Sequence, residues 1–381
     1  MKMSRKEFLG LSGKGIIGLS LFPKLSNTFF AESNGRPNTT GEPMIEVKTK
    51  RLELKHTWTL SRNSSDFKNN VFVKLEKDGI TGIGEAAPNV RYGENAELTT
   101  QRIHEAKGIF NKNSLFHYMN IKNELDHLIL DQSCAKAALD IALMDWVGKS
   151  FGIPLYKLWG LDPSDTPVTS FSIGIDTTDI IKQKVREAEP YPILKIKVGT
   201  DRDQEIINAV RSVTDKPIRV DANEGWKSKE VALKNIEWLI SQGVEFIEQP
   251  MPAQMLEDTA WLREQVSIPI IADEAVKSAA DIPILAQAYD GINIKLMKSG
   301  GLLEAFRMIQ MAKALDMKIM LGCMIESSVA ISAAAQIAPF VDYADLDGNL
   351  LISNDPFKGV EVKDGHLIYN DKPGLGVAGE F

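Results

Sequence analysis

The chain has 381 residues, 44% of them hydrophobic and 25% charged. That is ordinary for a globular protein and long enough for a large core and more than one domain. A formal net charge of −7, with no basic stripe on any predicted helix, argues against a nucleic-acid partner, and Cys134 and Cys323, far apart and without metal-ligand spacing, read as buried apolar residues, not a disulfide framework.

The first segment in chain order is Ser4-Arg5-Lys6-Glu7-Phe8-Leu9, followed by a small and apolar run from Gly10 to Phe22 and polar residues to Pro37. It resembles a twin-arginine export signal with Arg-Lys in place of Arg-Arg. Residues 1–43 are therefore read as an export-signal-like segment and linker, with a periplasmic location as the expectation and a cytoplasmic one as the alternative. Lys14 interrupts the apolar run, which is too short for a membrane span, so no stable membrane association is expected.

From Met44 to about Pro88 the pattern is extended: Glu46 to Leu60 alternates, and Asn70–Glu76 with Ile80–Glu85 predicts a hairpin around Asp78-Gly79. From Glu94 to about Phe151 the periodicity is helical, and the run from Cys134 to Trp146 is rich in alanine, which suits close packing. Residues 44–160 thus read as an α+β domain, completed by a C-terminal segment, 357–381, whose alternation predicts strands added to it.

Over 161–356 short β-rich runs alternate with helical stretches. The predicted strands are Val168–Ile175, Ile193–Val198, Ile218–Asp221, Phe246–Gln249, Ile268–Asp273, Gly291–Leu296, Lys318–Leu321 and Tyr343–Asp345. Repeated strand–helix units give parallel strands, and eight of them predict an α/β fold of the TIM (β/α) barrel type. A doubly wound sheet is the alternative, but no Gly-rich phosphate loop opens any of the helices.

In such a barrel chemistry sits at the C-terminal ends of the strands. Asp221, Glu248 and Asp273 each end an apolar strand. Three convergent carboxylates repel one another unless a divalent ion sits among them, whereas a single one would read as a helix cap. The five histidines are His56, His104, His117, His127 and His366, so none falls between Leu128 and Gly365, where the motif-bearing strands lie. A Ser-His-Asp triad or a His-ligated zinc is thereby disfavoured, and an oxygen-only ligand set favours Mg²⁺, with Mn²⁺ as the alternative.

Lys195 and Lys197, two residues apart, face the same side of their strand, and Lys295 ends a later one. Strands two and six of a barrel stand on opposite sides of the mouth, so Lys197 and Lys295 can flank a substrate, one removing a proton and the other returning it from the opposite face. A metal ion and a second lysine nearby would lower the pKa of such a base. Lys195 is expected to hold a substrate carboxylate or to lower the pKa of Lys197, and Lys298 reads as a solvated strand end or loop residue.

These residues carry a resemblance. The Lys195-x-Lys197 strand, Asp221-Ala-Asn, Glu248-Gln-Pro, Ala-Asp273-Glu and Asn293-Ile-Lys295 together resemble the enolase superfamily in its muconate-lactonizing-enzyme-like subgroup, from about Met44 onward and including Gly84-Glu85. The resemblance implies an enolase-like barrel with an N-terminal α+β capping domain and Mg²⁺ on Asp221, Glu248 and Asp273. It also implies loss of the proton alpha to a carboxylate through an enolate, and a homo-oligomer. Asp345-Leu-Asp347 looks like the dipeptide epimerases, where such a pair binds the substrate's terminal ammonium; alternate carboxylates on one face can clamp a cation. Glu326, in Gly322-Cys-Met-Ile-Glu326-Ser, is also typical of that group and is placed with the substrate-binding residues. Arg62 falls near the cap-loop arginine that binds an acidic side chain in Xaa-Glu epimerases.

The expected activity is therefore Mg²⁺-dependent epimerisation of a small dipeptide of the Ala-Glu kind at its second residue, with a peptidoglycan-derived peptide suiting an exported protein. The alternatives are an N-acylamino acid racemase, an o-succinylbenzoate synthase or a cycloisomerase of the same superfamily, none of whose substrates has a free ammonium for Asp345 and Asp347. A non-catalytic binding protein would have no use for two opposed bases.

Overall fold

A computed structural model describes residues 41–61 and 63–381; the export-signal-like segment and Arg62 lie outside the described residues. Strands β1 (Met44–Thr59), β2 (Ser64–Lys77) and β3 (Ile80–Ala86) form an antiparallel sheet in that order. The β2–β3 turn is the one Asp78-Gly79 dictates: both residues have positive φ, 53° and 73°, which matches the twist of the flanking strands. The alanine-rich helix Ser133–Phe151 lies on β3. Contact there is so close that a Cβ on Gly84 would collide with the Ala138 carbonyl oxygen, and one on Gly82 with that of Ala142.

Eight parallel strands follow: β4 (Phe171–Ile173), β5 (Leu194–Lys197), β6 (Ile218–Asp221), β7 (Val244–Glu248), β8 (Ile270–Ala272), β9 (Gly291–Lys295), β10 (Lys318–Gly322) and β11 (Tyr343–Asp345). Each pairs with its sequence neighbour. The ring closes through a parallel bridge between Thr169 and Ala344 and a hydrogen bond from Ser170 N to Ala344 O. This is the barrel the periodicity predicts. Leu194, Ile196, Ile218 and Val220 pack outward in the main core, as the alternation of a strand requires. Inward, Phe246, Ile271, Met320 and Tyr343 fill a lower layer, with the Arg219 guanidinium over the Phe246 and Tyr343 rings. One step above that layer the register aligns Lys197 with Asp221 and Asp221 with Glu248, and on the other side Lys295 with Gly322 and Gly322 with Asp345.

The C-terminal segment departs from expectation. Phe357–Lys358 pairs with Ala378–Gly379, and Glu361–Lys363 pairs with His366–Ile368; neither joins the β1–β3 sheet. It meets the N-terminal elements by side chains, a cap and one isolated parallel backbone bridge between Pro154 and Gly374 instead. Phe357 stacks on Phe72 at 5.5 Å, Lys50 Nζ donates to Glu380 O, and Leu375 N donates to Asp145 Oδ1. Two- and three-residue strands are too short for their alternation to say which sheet they will join.

Candidate active site

Asp221 and Glu248 end β6 and β7, and Asp273 directly follows β8. All three are buried, and each offers a carboxylate oxygen within 4.8 Å of the other two. Burial, then the neighbouring Asp221 charge, pushes the Glu248 carboxyl up to about 8. Its Oε1 accepts from Asn293 Nδ2 at 2.8 Å, whereas Oε2 accepts no hydrogen bond from the described residues. Lys195 Nζ stands 2.7 Å from that oxygen as a charge contact alone. A buried, under-satisfied carboxylate between two others is the donor set a hard divalent cation requires, so the residues fit such an ion.

The backbone beyond these acids is unusual. Asn223, Glu224 and Gln249 have positive φ, 45°, 65° and 36°, conformations that non-glycine residues hold only when their surroundings enforce them. Gln249 shows the enforcement: its Oε1 accepts from Asp273 N and Ala275 N, and its Nε2 donates to Tyr289 Oη and Met251 O. It thereby ties the Glu248 strand to Asp273.

Lys197 Nζ donates to Asp221 Oδ2 at 2.6 Å and Lys295 Nζ to Asp273 Oδ2 at 2.8 Å. Their strands are four places apart in the eight-stranded ring, so the two amines face each other across the mouth. At Lys295 the neighbouring carboxylate decides how firmly the proton is held. Burial disfavours its ammonium, but the Asp273 carboxylate outweighs burial and holds the pKa above the usual lysine range. Lys195 is fully buried and outside the cavity lining; its Nζ is 2.7 Å from Asp345 Oδ2 as well as from Glu248, so it cross-links carboxylates below the cavity. Lys298 corrects the reading of a solvated strand end. It is buried, and its Nζ donates to Asp273 Oδ1, Asp273 O and Asn293 O.

Asp345 and Asp347 both line the cavity. Asp345 is held by Lys195 and by the hydroxyls of Ser170 (2.7 Å) and Ser172 (3.2 Å). Asp347 Oδ2 accepts from Ser172 N, and its Oδ1 accepts from the Cys323 thiol at 3.9 Å. Burial, then the Asp345 charge, raises Asp347 to about 7. A cation arriving at Oδ1 would find a carboxyl group that gains from ionising. Glu326 is buried but does not line the cavity, whose wall on that loop is Cys323, Met324 and Ile325. It accepts from Met324 N, and burial, then the Glu85 charge, pushes it up to about 8.

The cavity has a volume of about 320 Å³, and its roof comes from the N-terminal sheet and the loop after it, with Trp58, Lys68, Asn70 and Arg91 among the lining residues. Arg91 reaches over to Glu224 with a bidentate pair, Nε–Oε2 2.8 Å and Nη2–Oε1 2.9 Å. Sequence reasoning missed Ser170, Ser172 and Gln249 as supports, since nothing in a lone serine or in the second residue of Glu-Gln-Pro signals a side chain aimed at an acid or amide from another strand.

The chain matches the family described as "Mandelate racemase / muconate lactonizing enzyme, N-terminal domain" over residues 44–160 and that described as "Enolase C-terminal domain-like" over residues 180–379. It is 48% identical over 327 residues to an L-Ala-D/L-Glu epimerase of Bacteroides thetaiotaomicron, covering 86% of this chain and 85% of that protein. It is 43% identical over 330 residues to an L-Ala-D/L-amino acid epimerase of Pedosphaera parvula, covering 84% and 94%. Among solved structures, a dipeptide epimerase from Cytophaga hutchinsonii complexed with Mg and the dipeptide D-Ala-L-Val superposes with a TM-score of 0.84 at 28% identity, covering 89% of this chain and 96% of that one.

Proposed function

This chain belongs to the mandelate racemase/muconate lactonizing enzyme family of the enolase superfamily, and from that premise we propose that it is a Mg²⁺-dependent dipeptide epimerase acting on the second residue of its substrate. The observation that carries the reading is the placement of Lys197 and Lys295 on strands four apart, flanking one cluster of three buried carboxylates. Asp221, Glu248 and Asp273 would hold Mg²⁺, which when bound neutralises them and polarises the substrate's terminal carboxylate, so that the hydrogen alpha to it becomes acidic. Lys197 and Lys295 then address the alpha carbon from its two faces. One takes the proton as a neutral amine, and the other, as an ammonium, delivers a proton to the opposite side. Because Asp273 holds the Lys295 proton tightly, Lys295 serves as a base only while that carboxylate's charge is engaged elsewhere. Asp345 and Asp347 receive the substrate's ammonium, a role that an N-acylated substrate would leave unfilled. Arg5-Lys6 and the apolar run after it support a periplasmic setting, where a peptide released from peptidoglycan is the natural candidate.

The test is α-proton exchange. L-Ala-D-Glu and L-Ala-L-Glu incubated with the protein and Mg²⁺ in D₂O are expected to lose the Glu α-proton signal in ¹H NMR and to converge on one diastereomer mixture. Absence of exchange with every dipeptide in a mixed library, in the presence of Mg²⁺, would overturn the reading.

A further inference from the structure

Two of the three attachments of the reacting carbon are accounted for once the proton is excluded. Its carboxylate goes to the acidic cluster, and its amide nitrogen leads toward Asp345 and Asp347. The third, the side chain of the epimerised residue, is left to the cavity roof. The two curated relatives differ on that residue, one being named for Glu and the other for amino acids in general, so similarity does not decide it.

The cations of the cavity do. Four lysine or arginine side chains line it among the described residues: Lys68, Arg91, Lys197 and Lys295. Three are already matched, Arg91 with Glu224, Lys197 with Asp221 and Lys295 with Asp273. Lys68 is not: its backbone belongs to the β1–β2 ladder, but no described residue hydrogen-bonds or ion-pairs with its amine. It sits on β2, two residues before Asn70 and so on the same face. Asn70 Nδ2 donates to Ile325 O, which brings that face of β2 onto the loop after β10. Lys68 is half-buried, and burial alone lowers its pKa, with no opposing carboxylate. A partly desolvated ammonium without a counter-charge, in a cavity whose other cations among the described residues are all paired, is a site awaiting an anion.

We propose that, among the described residues, Lys68 is a specificity-determining residue for the second position of the substrate, pairing with an anionic side chain there and so selecting an acidic residue over its neutral isostere. The proposal rests on the dipeptide-epimerase reading, and its test separates the two. Wild type and Lys68→Met are compared with Ala-Glu and Ala-Gln, both by turnover and by calorimetric binding in the presence of Mg²⁺. Wild type is expected to favour Ala-Glu by at least about tenfold in kcat/KM, the value of one charge-assisted hydrogen bond, and Lys68→Met to erase most of that preference. Lys68→Arg, which keeps the charge, should keep the preference and so report on folding. Equal handling of Ala-Glu and Ala-Gln by wild type, or a preference unchanged in Lys68→Met, overturns the assignment. No exchange by wild type, together with a Lys68-dependent preference for Ala-Glu in binding, condemns the epimerase reading and leaves Lys68 as the anion site.

Discussion

Opposed lysines make a prediction that a single base could not. If each serves one face of the alpha carbon, Lys295→Ala should lower epimerisation by roughly 10²- to 10⁴-fold, the usual contribution of a positioned acid–base group. Lys197, still present, should continue to wash deuterium into one epimer only. Lys197→Ala should show the mirror preference. The check is ¹H NMR of each pure epimer in D₂O; exchange of both epimers by either variant would mean that the two amines do not divide the faces. A second prediction belongs to Asp347. Its carboxyl is raised to about 7 by burial and the Asp345 charge, so below that pH it is neutral and a poorer partner for an ammonium. A dipeptide's amino group loses its charge near a pKa of about 8. KM should therefore fall as the pH rises through about 7 and climb again past about 8. In Asp347→Asn the fall on the acid side should disappear, as read from KM measured from pH 5.5 to 9.

At the scale of elements, two glycines test two different kinds of close approach. Gly84 lets the helix Ser133–Phe151 lie against β3, and a Cβ there meets backbone, which cannot swing aside. Gly84→Ala should cost about 1–3 kcal/mol in urea unfolding, the range for overpacking a fixed core. Gly322 instead faces the Asn293 amide, the group that donates to Glu248 Oε1. Gly322→Ala should leave unfolding less affected but weaken Mg²⁺ binding by roughly 10- to 100-fold, as losses of ligand-orienting bonds do; calorimetric titration of Mg²⁺ separates the two outcomes. The barrel is legible in the sequence because short β-rich runs alternate with helical periods along most of 161–356, and the three acids fall at the ends of three of those runs. What is not legible depends on turns and on partners distant in sequence. Lys298 looks like a solvated terminus until the one-turn helix Leu296–Ser299 after β9 folds it back onto Asp273. Lys195 looks like a substrate ligand until its neighbours' carboxylates are seen to surround its amine. The tail alternates like any strand pair, and Phe72 under Phe357, not the alternation, decides where it lies.

At the scale of the whole molecule, buried acids join the N-terminal elements to the barrel and charge the three-carboxylate cluster, and their titration makes stability depend on pH. Glu85, at the end of β3, accepts from Asn70 Nδ2, Ser327 N, Ser327 Oγ and Ala330 N, capping the helix Ser328–Ala335. Asp140 accepts from Leu302 N and Leu303 N at the start of the helix Leu302–Ala314. Burial raises the Glu85 carboxyl, brings Asp140 to about 7 and, with Asp221 beside it, brings Glu248 to about 8. Each is a carboxyl whose folded pKa lies above its unfolded one, so between those two values the folded state binds more protons than the unfolded state. Stability is then full below about pH 4 as far as these groups are concerned and declines as pH rises from about 4 to 8. A divalent ion held there would reverse the sign at the cluster, because it would bind the ionised forms and compete with protons for Glu248. With EDTA, the melting temperature should therefore fall between pH 5 and pH 8. With saturating Mg²⁺ the rise in melting temperature over the EDTA sample should grow across the same interval, and Glu248→Gln should remove most of that growth while leaving the EDTA slope that Glu85 and Asp140 contribute. Scanning calorimetry at pH 5, 6, 7 and 8 decides it: a Mg²⁺ increment that is flat or shrinks with pH would mean that Glu248 is not the group at which ion and proton compete.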